Sequence, residues 1–177
     1  MAEKINWFQI LEAGLRALEK DQEDEAYLKE LANKYVLKDP KNYSSVRSIV
    51  LDVHFKLEYH LDTAIKWYLC FYNRRKHIFS EGDYSKIGDV ISNIDYAKKL
   101  KIVELLSIFS KQTIGIFWKT NDLRIAFAHN YKKDSPKYLF CGESIFNRKV
   151  IEKLISGLEL AIAEFSEFII EEGDASV

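Results

Sequence analysis

Apolar residues recur along most of this chain at alternating steps of three and four, the spacing of one face of an α-helix. The longest stripe spans residues 44–73 without glycine or proline, which predicts one long helix with a coiled-coil-like seam. The seam consists of Val46, Val50, Val53, Leu57, His60, Ala64, Trp67 and Phe71. A second stripe after Asn147 predicts a closing helix, with Gly173 as its C-cap. That stripe consists of Val150, Ile151, Leu154, Leu158, Ile162, Phe165 and Ile169.

Shorter stripes predict the remaining elements. Residues 5–20 and a second helix reaching Tyr35 form an N-terminal helical hairpin within residues 1–39. Asp95 is placed to cap a helix that runs to about Phe109, in which Lys98, Lys99 and Lys101 are expected to be solvated. Another helix follows over residues 112–130. Glycines interrupt the pattern between residues 73 and 93, which predicts a loop with at most one short helix. The segment 131–146 contains a proline and a glycine around short apolar strings, which predicts a loop or small hairpin.

These elements predict an all-α helical bundle in a single domain over residues 1–177, with residues 44–170 as its main body. Seven glycines and two prolines in 177 residues agree with long helices. Neither a G-x-G-x-x-G nor a G-x-x-x-x-G-K-[ST] string occurs, so the phosphate-binding loops of Rossmann and P-loop enzymes are excluded. A net charge of -1 gives no global attraction for nucleic acid, and any RNA contact must be local.

The sequence predicts no metal site and no cofactor. His54 and Glu58 lie four residues apart, as a metal pair would, but no third ligand follows at metal spacing. Cys70 and Cys141 lack a C-x-x-C spacing and are expected to be core thiols. The longest apolar run has six residues, far below the roughly 20 that span a bilayer, so a cytoplasmic protein without membrane contact is expected.

The informative stretch is NDLRIAFAHNY, residues 121–131. Arg124 is its only polar residue between Leu123 and Ala128, which predicts a helix buried nearly all round and a buried guanidinium with a partner. That partner is Glu58, Asp62 or an anion that arrives as ligand. His129 follows at the expected helix end, where it faces solvent or a cleft. A straight helix separates the two side chains by about 140°, so two symmetry-related chains would be needed to aim both at one atom.

With Arg124 and His129 as an R-x4-H motif, the chain resembles the HEPN superfamily. The similarity extends over residues 44–170: a helix with AKKLKIVELL, then LRIAFAH, an irregular segment and a closing amphipathic helix. It implies a homodimer in which two motifs form a metal-independent endoribonuclease centre. His129 would transfer protons and Arg124 would hold phosphate, with Lys132 and Lys133 as weaker phosphate-binding candidates. Many nucleolytic members are toxins paired with a nucleotidyltransferase-like antitoxin, which implies such a partner.

One position favours a second interpretation. The residue after the motif arginine is typically polar in the nucleolytic members, and here it is Ile125. The alternative is a non-catalytic HEPN-like regulatory or protein-binding dimer, similar to the mannitol operon repressor. Both interpretations predict a homodimer, because the seam and the LRIAFA segment offer more apolar surface than one thin bundle covers.

Overall fold

The computed structural model describes residues 23, 26–30, 33, 42–71 and 81–174, with side chains described up to residue 69 and again over 85–168. The predicted first helix over residues 5–20 lies outside this part. The described positions near residue 28 are helical, and Leu28 is buried. Lys29 pairs with Glu159 of the closing helix at 2.9 Å, so this segment packs on the bundle.

The described fold is an all-α helical bundle, as predicted. Its helices are α1 (Tyr43–Phe71), α2 (Glu81–Ser92), α3 (Tyr96–Leu106), α4 (Lys111–Ala128) and α5 (Arg148–Asp174). A 3₁₀ turn (Pro136–Tyr138) and two short antiparallel strands, β1 (Leu139–Phe140) and β2 (Glu143–Ser144), lie between α4 and α5. The helix α2 accounts for the single short helix expected between residues 73 and 93.

Helix α1 is the centre of the bundle and contacts the other four of these helices. Every seam residue whose side chain is described is buried, from Val46 to Trp67, which confirms the predicted stripe. The stripe of α5 faces the same core, with Val150, Leu154, Leu158 and Phe165 all buried. Helices α4 and α5 approach closely at Gly157, where a Cβ atom would lie 2.8 Å from Ile116 Cγ2.

Local caps set most helix ends. Asp95 accepts a hydrogen bond from Lys98 N at 3.0 Å, which confirms its predicted role as the N-cap of α3. Ser107, in the left-handed region at φ 55°, ends α3 earlier than the predicted Phe109. The predicted C-cap at Gly173 is wrong, because α5 continues through that residue to Asp174.

The predicted hairpin is present, and its turn corrects the expectation for Cys141. Cys141 (φ 52°) and Gly142 (φ 83°) form the two-residue connection between β1 and β2, the pattern of a type I′ turn. Cys141 is therefore exposed and is not a core thiol. The side chain of Cys70 lies outside the described residues. Within the part of the chain that the structure describes, no helix is long and apolar enough to cross a membrane.

Candidate functional site

A buried tyrosine fixes the C-terminal end of α4. Tyr138 has no exposed surface, and its hydroxyl lies 3.2 Å from Ala126 O and 3.0 Å from Tyr131 O. Tyr43 of α1 completes the arrangement, with its hydroxyl 3.0 Å from that of Tyr138 and 3.2 Å from Asn130 Oδ1. Burial, and then the hydrogen bond with Tyr43, raise the pKa of Tyr138, so its hydroxyl remains a donor. The backbone around His129 is thereby held from both sides.

His129 is the C-terminal capping residue of α4. Its backbone N–H donates to Ile125 O at 3.1 Å, and its φ and ψ of -89° and 0° take the chain out of the helix. The imidazole is exposed, and its ring centroid lies 5.9 Å from that of Tyr131. His129 therefore lies at the end of the helix and faces solvent, as the sequence predicted.

The helix that carries Arg124 is not buried all round, contrary to the prediction. Leu123, Ala126 and Phe127 face the core, whereas Ala128 is exposed and Ile125 retains 39% of its accessible surface. One side of α4 therefore faces solvent. Arg124 lies at the border of the two sides and is half-buried.

The expected carboxylate partners of Arg124 are engaged elsewhere. Lys99 Nζ of α3 lies 3.1 Å from Glu58 Oε1 and 2.6 Å from Asp62 Oδ1. The prediction that Lys99 is solvated is wrong, because only 1% of its surface is exposed. Its burial would lower its pKa, but the hydrogen bonds to the two carboxylates raise it, so the ammonium group stays charged.

Arg124 instead contacts a neutral amide. Its Nη2 donates to Asn121 Oδ1 at 3.3 Å, one helical turn away. Its Nε is buried and has no hydrogen-bond partner, and no carboxylate of the described residues forms an ion pair with it. The guanidinium is therefore positioned from one side and keeps donors available for a ligand.

His54 of α1 also belongs to this site. Its spacing from Glu58 had suggested only a metal pair. It is 3% exposed, its ring lies 4.4 Å from that of Tyr96, and neither ring nitrogen makes a hydrogen bond of normal geometry. Burial and then the nearby Arg124 lower the pKa of His54 to about 4, although Glu58 and Asn121 act in the opposite direction. The imidazole beside Arg124 is thus neutral at physiological pH. The sequence signal was its place on α1 one turn before Glu58.

The weaker candidates lie in the turn after His129. Lys132 and Lys133 are both exposed, and Lys133 Nζ lies 5.4 Å from the centroid of the Phe146 ring. Over residues 42–69 and 85–168, no three histidine, cysteine or acidic side chains are grouped to hold a metal ion.

A groove of about 400 Å³ adjoins the motif, between the exposed side of α4 and the hairpin. We call it the hairpin groove. It is lined by Lys119, Asp122, Ile125, Ala126, Tyr131, Pro136, Lys137, Leu139, Cys141 and Gly142. Ile125, the residue that departs from the HEPN pattern, therefore lies in this groove and not in the core.

No family model, curated protein or solved structure matches this chain. The resemblance to the HEPN superfamily thus depends on the R-x4-H motif and on the order of elements around it, and it stays a prediction.

Proposed function

We propose that this protein is a metal-independent endoribonuclease of HEPN type, with an active centre built from Arg124 and His129 of two copies. The observation that supports it most is the state of Arg124. Its guanidinium is held by Asn121 without a carboxylate in an ion pair, so its charge is not neutralised by a neighbouring side chain and the Nη donors that Asn121 does not use are left for a phosphate.

The two side chains have the chemistry that RNA cleavage needs. RNA supplies its own nucleophile, the 2′-hydroxyl, so the protein must supply a proton acceptor or donor and a fixed cation for the developing charge on phosphorus. The imidazole of His129 is exposed, and a histidine side chain can both accept and donate a proton. Arg124 would bind the phosphate oxygens and stabilise the transition state.

The proposal includes a homodimer. Arg124 and His129 lie on different sides of the last turns of α4, and a second copy would bring the two kinds of side chain together in one cleft. Light scattering at micromolar concentration should give twice the 20.7 kDa of one chain. A mass of one chain would contradict the composite centre.

The decisive experiment is cleavage of single-stranded RNA in the presence of a chelator. His129→Ala and Arg124→Ala should each reduce the rate by about 10²-fold or more, the usual size of an acid–base or electrostatic contribution. Methylation of the 2′-oxygen at the cleavage site should prevent cleavage by the wild type. Arg148→Ala is the control, because this arginine is exposed on α5 and pairs with Glu152 on the surface.

Two outcomes would count against the enzyme. Equal cleavage by the wild type and His129→Ala would indicate a contaminating nuclease, and no cleavage by any form would favour the alternative function. That alternative is a regulatory or protein-binding helical dimer, and the exposed apolar side chain of Ile125 supports it. Under the nuclease proposal, a nucleotidyltransferase-like antitoxin is the expected partner, and a gene for one beside this gene would support the assignment.

A further inference from the structure

The hairpin groove combines three features that bear on what it binds. Ile125, Tyr131 and Leu139 are each about two-fifths exposed, at 39%, 42% and 40%, and together they make an apolar floor and wall. Single exposed apolar residues are ordinary, but three around one concave surface of about 400 Å³ form a surface of the kind that ligands occupy.

The second feature is the charge at the rim. Lys119 and Lys137 both line the groove and are exposed, and the nearest anionic group to Lys119 is Asp122 at 4.0 Å. That contact is longer than a hydrogen bond and solvent-exposed, so it contributes little and leaves the ammonium group available. An apolar floor between two cations suits a ligand that is both planar and anionic.

The third feature is the place of Tyr131. Its ring lies against that of His129, with centroids 5.9 Å apart and planes inclined by 46°, while its backbone carbonyl is held by Tyr138. A ligand that stacks on Tyr131 is therefore next to His129. Arg124 and His129 do not line the groove themselves, so Tyr131 is the residue that connects the groove to the candidate active centre.

We infer that the hairpin groove binds an unpaired nucleobase of single-stranded RNA, stacked on Tyr131 next to the phosphate handled by Arg124 and His129. Proteins bind single strands by combining cations that follow the backbone with aromatic rings on which bases stack. Ile125 then has a role as the apolar floor beneath the base. A protein segment is the less suitable occupant for two reasons. The groove is small, at about 400 Å³, and its two cations, Lys119 and Lys137, outnumber its one anion, Asp122.

This inference rests on the proposed function for the identity of the ligand, but it can be tested by binding alone. The probe is a fluorescently labelled single-stranded RNA carrying 2′-O-methyl groups throughout, which cannot be cleaved through the 2′-hydroxyl. Fluorescence anisotropy measures its affinity for the full chain. Tyr131→Ala should weaken binding about tenfold or more, whereas Tyr131→Phe, which keeps the ring, should remain within about twofold.

Tyr59→Ala is the matched control, because this tyrosine of α1 is 43% exposed but does not line the groove. It should bind the probe as the wild type does. A second control uses a series of probes, each of which lacks the base at one different position. Removal of the base that occupies the groove should lower the affinity of the wild type for the probe. The affinity of Tyr131→Ala should not change when the same base is removed.

The outcomes separate the two proposals. Binding that depends on Tyr131 and on one base, without cleavage of unmodified RNA, would support the groove and overturn the nuclease. Cleavage that depends on His129, with binding that is equal for Tyr131→Ala and wild type, would overturn the groove and leave the nuclease. If the wild type does not bind the probe, or if it binds a protein partner through this groove instead, the inference is wrong.

Discussion

The two ends of α4 differ in how the polar side chains around them are paired. At the first turn, Glu164 of α5 accepts hydrogen bonds from Ser110 N, Ser110 Oγ and Thr113 Oγ1, at 2.8, 2.7 and 2.8 Å. Near the last turns, the buried Nε of Arg124 has no hydrogen-bond partner among the described residues, and neither ring nitrogen of His54 makes a hydrogen bond of normal geometry.

The difference separates structural polar groups from candidate functional ones. Native proteins pair nearly all of their buried polar groups, because an unpaired one costs about 1 to 3 kcal/mol. The first end follows this rule and serves the fold. The second end departs from it beside an exposed histidine, and perturbed groups of this kind concentrate at functional sites. Three stability measurements would test the contrast.

The largest effect is expected for Lys99→Met. Lys99 neutralises the negative charges of Glu58 and Asp62, whose side chains are about one-third exposed. Its removal therefore leaves two carboxylates without their cation. We expect a loss of about 3 kcal/mol, the lower part of the range for breaking a buried ion pair. Urea unfolding at pH 7 measures it. Lys98→Met is the control, because Lys98 is 74% exposed and its pairing with Asp95 on the surface should contribute little to stability.

The same variant tests whether Arg124 is independent of the carboxylates. If Lys99→Met costs little and also weakens RNA binding, Arg124 has taken over Glu58 and Asp62, and the guanidinium is not reserved for a ligand. A large loss of stability would instead indicate that the carboxylates depend on Lys99. The contrast between the two ends of α4 would then stand.

A smaller effect, confined to acid, is expected for His54→Phe. The pKa of His54 is depressed to about 4, so the unfolded chain binds a proton that the folded chain does not between that value and about 6.5. Wild-type stability should therefore fall as the pH decreases through this window. Phenylalanine keeps a ring against Tyr96 and removes the titration. The variant should gain about 2 kcal/mol relative to wild type at pH 4 compared with pH 7.

The comparison between the two proteins isolates His54 from its neighbours. Glu58, Asp62, Lys99 and Arg124 titrate or carry charge close by in both proteins, and burial also raises the pKa of Asp62. Their contributions largely cancel in the difference. A difference in the free energy of unfolding that does not change with pH would mean that the pKa of His54 is not lowered in the folded protein.

Sequence periodicity predicted the helices well and the polar contacts poorly. The α1 seam and the α5 stripe were correct because burial of an apolar face dominates helix packing and leaves a regular spacing in the sequence. Lys99 was predicted to be solvated together with Lys98 and Lys101, as lysines usually are, and only the approach of α3 to α1 shows that it is buried. The exposure of Cys141 was missed because cysteine is not a residue type that indicates a turn position with positive φ.

The candidate site divides in the same way. Arg124 and His129 were named from one local string, since a helix end and an isolated cation are visible within a few residues. Asn121 and His54 were not recognised as their neighbours. His54 lies 70 positions before Arg124 in the sequence, and no local pattern connects them. The hairpin groove likewise requires α4 and the strands to meet in space.

The smallest effect is expected at the well-paired end, for Glu164→Ala. The change removes three hydrogen bonds, but Ser110 Oγ still accepts from Thr113 N at 3.2 Å, so the N-cap itself survives. We expect a loss of about 1 kcal/mol, as for a partly exposed capping interaction, with RNA binding and cleavage unchanged. Glu167→Ala, an exposed glutamate one turn along α5, is the control and should be neutral. If Glu164→Ala instead reduced cleavage while the fold stayed intact, the paired end would also contribute to function, and hydrogen-bond satisfaction would no longer distinguish the two ends of α4.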